Sequence, residues 1–181
     1  MRPYLLFSVA FVALLFISYT ATSNETGAPT GRTGAPQENT CNAPGCHNSF
    51  TLNEGEGSVA ITVGSGVTEY VPDSTYEVFV RVAFPGRVRF GFEITAYAGG
   101  TQGGTFAVLE PDSSQIRTSF LGQQYVTHKF AGTIDGTPGD NVYNLEWTAP
   151  AAGTGPLTFY AAGNATNNNG TNQGDFIYTT E

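Results

Sequence analysis

RFGFEITA, residues 89–96, places an apolar side chain at every second position: Phe90, Phe92, Ile94 and Ala96. In an extended strand, successive side chains point to opposite faces, so residues two apart share a face. This stretch therefore predicts a β-strand that presents one face to the core of the protein.

The same alternation recurs along the chain on both sides of this strand. Val59, Ile61 and Val63 alternate with small or polar residues, and turn-forming Gly, Pro, Asn and Asp separate the candidate strands. Further candidates cover residues 76–82, 104–110, 115–120, 124–130, 143–147, 157–161 and 175–180. About nine short strands, with no helix after residue 23, predict an all-β fold, an antiparallel immunoglobulin-like β-sandwich over residues 57–181.

The first 23 residues have the composition of an export signal. Arg2 precedes an apolar run over residues 5–17, which gives way to small polar residues and a cleavage sequence at Ala21-Thr22-Ser23. The run is short for a membrane span, and no second apolar stretch follows it. We therefore expect a signal peptide over residues 1–23 and a secreted protein, periplasmic or extracellular, that has no membrane contact beyond export.

The charge of the chain argues against polyanionic partners. Removal of residues 1–23 takes away Arg2 and leaves 6 basic and 15 acidic residues, a net charge of −9. Nucleic acids and anionic membranes repel such a protein, so neither is expected as a partner. Two cysteines are too few for a disulfide-stapled scaffold, and the core must come from packing.

Residues 24–56 form a leader without apolar periodicity. Gly-Ala-Pro occurs twice in it, at residues 27–29 and 34–36, a composition typical of extended and irregular chain. Such a segment is a poor independent fold, and a covalently held macrocycle could order it.

The leader ends with both cysteines of the protein, in CNAPGCH at residues 41–47. A cysteine pair that ends in Cys-His is typical of covalent c-type haem attachment. In this interpretation Cys41 and Cys46 form the thioethers, and His47 is the proximal iron ligand. Four residues separate the cysteines instead of two, which resembles a minority variant of the c-type cytochrome motif. Pro44-Gly45 predicts a turn that leaves both sulfurs on one side.

An electron-transfer haem also needs a second axial ligand, because an open position invites ligand chemistry. The single methionine, Met1, is removed with the signal, and His128 is the remaining candidate. Alternation over residues 125–130 places His128 on one face with Val126 and Phe130. We therefore expect His128 as the distal ligand of one covalent haem c. The leader must then fold back across the strand that carries His128.

Other uses of the cysteines compete with haem. A Cys41–Cys46 disulfide is possible across a Pro-Gly turn in an oxidising compartment, but it leaves the adjacent His47 unexplained. Zinc could take Cys41, Cys46, His47 and His128, although neighbouring Cys46 and His47 fit two corners of one tetrahedron poorly. A redox dithiol normally has two intervening residues and an adjacent helix. Haem is therefore preferred, with the disulfide second.

RFGFEITA resembles a segment of Reeler (reelin-type) domains. Three later stretches resemble the same family: WTAP at residues 147–150, FYAAGN at 159–164 and GDFIY at 174–178. The chain is also similar to a group of secreted bacterial proteins called choice-of-anchor V. Members of that group pair this domain with a leader like residues 30–36 and a Cys-x-x-Cys-His segment. The resemblance covers nearly all of residues 24–181 and implies a Reeler-type sandwich.

Together these patterns predict an exported monohaem c-type cytochrome that exchanges single electrons with redox protein partners. The alternative is a haem-free extracellular binding or adhesion module in which Cys41 and Cys46 form a disulfide. The sequence has no phosphate-binding loop, nucleophile triad or clustered carboxylate pair, so no enzyme activity is expected.

Overall fold

The computed structural model describes residues 24–134 and 138–181, so the predicted signal peptide lies outside the described residues. This part of the chain is all-β, with ten strands and one 3-10 turn, Ala131–Ile134. The strands are β1 (Ser58–Val63), β2 (Thr75–Ala83), β3 (Arg89–Ala98), β4 (Thr101–Gln102), β5 (Thr105–Val108), β6 (Ser114–Thr118), β7 (Gln124–His128), β8 (Asp140–Thr148), β9 (Thr158–Thr166) and β10 (Phe176–Thr180). Within the described residues, no helix is long and apolar enough to cross a membrane.

The strands form two sheets that pack face to face. The first sheet has the order β1-β2-β8-β5, and the second has the order β10-β9-β3-β7-β6, with β4 paired to β3. Every strand pair is antiparallel, which confirms the predicted antiparallel β-sandwich. RFGFEITA lies at the centre of the second sheet, where β3 pairs with β9 on one side and with β7 on the other.

The predicted alternation of β3 is what builds the core. Phe90, Phe92 and Ile94 are almost completely buried between the sheets, where they meet apolar residues of β2 and β8. The ring of Phe92 stacks on Tyr143, with 3.9 Å between the ring centroids, and the Tyr143 hydroxyl donates to the Phe90 carbonyl at 2.8 Å. Burial of one such large apolar side chain stabilises the fold by roughly 1.5–3 kcal/mol.

The leader covers the outer face of the second sheet. The Ala28 N–H donates to the Thr127 hydroxyl of β7 at 3.0 Å. Farther along, the Glu38 carboxylate accepts hydrogen bonds from the hydroxyls of Tyr97 and Tyr125, each at 2.6 Å. The leader is irregular, as predicted. Hydrogen bonds and packing contacts hold it against the outer face of the sheet.

Candidate functional site

One cavity of about 270 Å³ lies where the leader, the start of β3, the end of β7 and the loop after β9 meet. Cys41, Cys46, His47 and His128, the four residues that the sequence predicts for the site, all line it. The remaining wall is mixed: Ala28, Pro29 and Phe130 are apolar, β3 contributes its stretch from Arg89 to Phe92, and several Asn and Thr residues of the surrounding loops complete it. The cavity therefore joins two cysteines and two histidines to a partly apolar surface.

The Cys41–His47 segment forms the turn that Pro44-Gly45 predicts. The Ala43 carbonyl accepts from the Cys46 N–H at 2.9 Å, and Gly45 has a φ of 81°. Pro at the second position and Gly with positive φ at the third define a type II turn. The Cys41 carbonyl also accepts from the His47 N–H at 3.0 Å, which closes the segment into a small loop beside the cavity.

A buried carboxylate contacts the Nδ1 atom of His47. The Nδ1 atom of His47 lies 2.7 Å from Oδ2 of Asp175, a side chain that is only 1% exposed. The side-chain nitrogen of Asn164 lies 3.3 Å from each ring nitrogen. A neutral imidazole that donates its Nδ1–H to a carboxylate keeps a lone pair on Nε2, which is the form that binds a metal. Sequence reasoning missed Asp175 and Asn164, although Asp175 is the single carboxylate of the loop over residues 164–175.

His128 is buried against the backbone of β3. Its Nδ1 lies 3.1 Å from the Phe92 nitrogen and 3.2 Å from the Phe92 oxygen, and its Nε2 lies 3.3 Å from the Asn24 oxygen. Either neutral tautomer therefore has a partner. A Cβ atom at Gly91 would lie 2.8 Å from Cε1 of His128, so glycine is what lets the ring approach the strand. Burial lowers the pKa of His128, which favours the neutral imidazole that a metal requires.

The structure separates Val126 from the two residues predicted to share its face. Val126 belongs to the core cluster, whereas His128 and Phe130 line the cavity. The predicted common face was wrong in this respect. Val126 pairs with the core residue Ile94 of β3, whereas the ring of His128 lies against Gly91. The pairing of β7 with β3 covers only Val126 and Thr127, so the alternation is not kept at His128, the last residue of β7.

Cys41 and Cys46 are both free thiols, and the disulfide expected under the alternative is not formed. Burial, together with the negative charge of Glu93, raises the pKa of Cys41 to about 12. A thiol that stays protonated is a poor metal ligand and a poor nucleophile. Among the residues that the structure describes, no group of three His, Cys, Asp or Glu side chains is arranged to hold a metal ion. The zinc alternative therefore has no support from the geometry.

Glu93 lies beneath the leader and is completely buried. Its Oε2 accepts from the Arg32 N–H at 2.6 Å, while its Oε1 has no hydrogen-bond partner in the described part of the chain. Burial raises the pKa of Glu93 to about 8. This carboxyl is therefore mostly protonated at neutral pH, which sequence alone could not indicate, because its burial depends on the docked leader.

The sequence matches no protein-family model and no curated protein. In structure it is similar to the Reelin-N domain of F-spondin, with 24% identity over 73% of this chain and 84% of that one and a TM-score of 0.48. A human F-spondin reeler domain shows 23% identity over 74% of this chain and 88% of that one, with a TM-score of 0.49. A second fragment of the human domain shows 23% identity, coverage of 60% and 77%, and a TM-score of 0.44. These neighbours are Reeler domains, and the likeness concerns the fold alone.

Proposed function

We propose that the protein is an exported monohaem c-type cytochrome of the choice-of-anchor V type, acting in the periplasm or outside the cell. One observation carries the proposal: the two cysteines and both histidines predicted for haem attachment line a single cavity. The leader and β7 are far apart in sequence, so the presence of both histidines in one cavity is not explained by local sequence.

The residues of the cavity fit a haem group in their chemistry. Asp175 occupies Nδ1 of His47, so Nε2, which otherwise contacts the Asn164 side-chain nitrogen at 3.3 Å, is the ring nitrogen that would bind iron. His128 is neutral and buried. The environment that keeps Cys41 protonated disfavours a thiolate but suits a thioether, which has no charge. Ala28, Pro29 and Phe130 contribute apolar surface of the kind that a macrocycle needs.

In this proposal, Cys41 and Cys46 would hold the haem through thioethers, and His47 and His128 would bind its iron. When bound, the haem supplies one-electron redox chemistry. Ligation by two histidines would favour electron transfer over ligand chemistry and a lower reduction potential than His/Met ligation. The role that follows is transfer of single electrons between redox protein partners, without catalysis.

A second candidate function rests on a different surface. The hairpin between β6 and β7 exposes Phe120 and Leu121 at 102% and 79% of their surface. Both side chains border a groove that Tyr97 and Tyr160 also line. Exposed apolar side chains beside aromatic residues are typical of binding surfaces. A haem-free extracellular binding or adhesion module would use this surface, and Cys41 and Cys46 would take no part in binding.

Haem content separates the two functions. We expect the full chain, produced in a host with c-type maturation machinery, to be coloured and to give the pyridine haemochrome spectrum of thioether-bound haem at one haem per chain. The same chain produced without that machinery is the control and should be colourless. A colourless product from both hosts would exclude the cytochrome and favour the binding module.

The role of His128 is testable on the haem-loaded protein. His128→Ala should keep the covalent haem but open the sixth coordination position, which shifts the absorption spectrum towards high spin and admits carbon monoxide. Lys129→Ala is the matched control, because Lys129 is the next residue, bonds the Pro111 carbonyl and does not line the cavity. If His128→Ala stays low-spin and closed to carbon monoxide, the distal ligand is another group.

A further inference from the structure

The cavity concentrates positive charge in a protein that is acidic overall. The whole chain has a net charge of −8, and 6 basic residues belong to residues 24–181. Arg32 and Arg89 both line the cavity, whereas Glu25 lies at its exposed rim. This distribution favours a ligand that carries negative charge.

Protein groups already hold the guanidinium of Arg89. Its Nε donates to the Asn168 side chain at 2.7 Å, and its Nη1 donates to the Thr133 hydroxyl at 2.5 Å. The guanidinium carbon also lies 4.9 Å from the centroid of the Phe130 ring. The Arg89 guanidinium is therefore engaged by protein groups at the edge of the cavity.

Arg32 differs, because its backbone N–H is held by Glu93 while its side-chain Nε has no hydrogen-bond partner in the described part of the chain. The Arg32 N–H donates to Glu93, and the Arg32 carbonyl lies 3.8 Å from the sulfur of Cys41. In contrast, the Nε atom of Arg32 is buried and has no hydrogen-bond partner in the described part of the chain. The ion pairs found there are His47–Asp175 and Arg81–Asp140, and neither includes Arg32. Its charge does act on the neighbouring Glu93 carboxyl, whose pKa it lowers, but burial outweighs this effect and keeps Glu93 mostly protonated at neutral pH. A buried, unpaired guanidinium N–H is costly unless an acceptor is supplied.

We infer that Arg32 binds a carboxylate of the molecule that occupies this cavity, and that the site therefore selects an apolar ring with acidic groups over its neutral counterpart. The inference rests on the proposed function, because haem is such a ring and its propionates are the acidic groups. Arginine suits this role, since its planar fork of N–H donors matches the two oxygens of a carboxylate.

Binding of a porphyrin and of its ester tests this inference directly. The full chain, produced without haem, is titrated with iron protoporphyrin IX and with the dimethyl ester of the same compound, in which both carboxylates are blocked. We expect the wild-type protein to bind the free acid roughly ten to a hundred times more tightly than the ester, the range for a charge-assisted hydrogen bond. Arg32→Gln should remove this preference by weakening binding of the acid alone. Arg81→Gln, which alters an exposed ion pair away from the cavity, is the control.

The possible outcomes separate this inference from the proposed function. Equal binding of acid and ester by the wild-type protein, or an unchanged preference in Arg32→Gln, overturns the role of Arg32 while haem binding stands. Failure of the wild-type protein to bind either compound overturns both. Because the comparison of acid with ester uses the wild-type chain, it decides the question even if Arg32→Gln does not fold.

Discussion

Replacement of both Cys41 and Cys46 by alanine is expected to abolish covalent haem attachment. Each thioether links one sulfur to the macrocycle, so a chain without sulfur at these positions has no covalent link to form. Intact mass measured under denaturing conditions should show the wild-type chain one haem heavier than its polypeptide. The double variant from the same maturation host should show the mass of the polypeptide alone.

The single variants Cys41→Ala and Cys46→Ala are the matched controls, since each keeps one sulfur at the cavity. They are expected to retain a singly attached haem in part of the population, while the double variant retains none. Haem that leaves the denatured wild-type protein into acidic organic solvent would show non-covalent binding and contradict the assignment of both sulfurs.

The sandwich could be predicted from the sequence because its strands carry their own signal. In β3 every second side chain from Phe90 to Ala98 is apolar, and Phe90, Phe92 and Ile94 are buried between the sheets. The strand β4, Thr101–Gln102, could not be predicted, because two residues are too few to show a period. The 3-10 turn at Ala131–Ile134 could not be predicted either, because four residues are also too few to show a period.

The sequence predicts the Cys41–His47 motif of the site, but not the residues that hold its side chains in place. The Cys-Asn-Ala-Pro-Gly-Cys-His pattern is local, so its turn and the position of His47 follow from neighbouring residues. The contact of Asp175 with His47 joins positions 128 residues apart and has no local signal. The same holds for the close approach of the His128 ring to Gly91, because the two residues belong to different strands, β7 and β3.

Glu93 should make stability depend on pH, and Glu93→Gln should remove most of that dependence. Burial raises the pKa of Glu93 from an ordinary 4.5 to about 8 in the folded protein. Below pH 4.5 the carboxyl is protonated in both the folded and the unfolded chain, and its contribution to stability is fully present. Between pH 4.5 and pH 8 the unfolded chain releases the proton and the folded chain keeps it. The free energy of unfolding therefore falls by about 1.4 kcal/mol for each pH unit in this window.

Denaturant unfolding of the wild-type protein and Glu93→Gln at pH 5, 6, 7 and 8, about the span of this window, measures the effect. Glutamine resembles the protonated carboxyl and can still accept the hydrogen bond from the Arg32 N–H, so the variant should be the more stable protein near pH 8. Glu69→Gln removes an exposed carboxylate and controls for the change in net charge. If the wild-type protein and Glu93→Gln lose stability in parallel as the pH rises, another group is responsible. The protonated Glu93 beneath the leader would then be excluded as the cause.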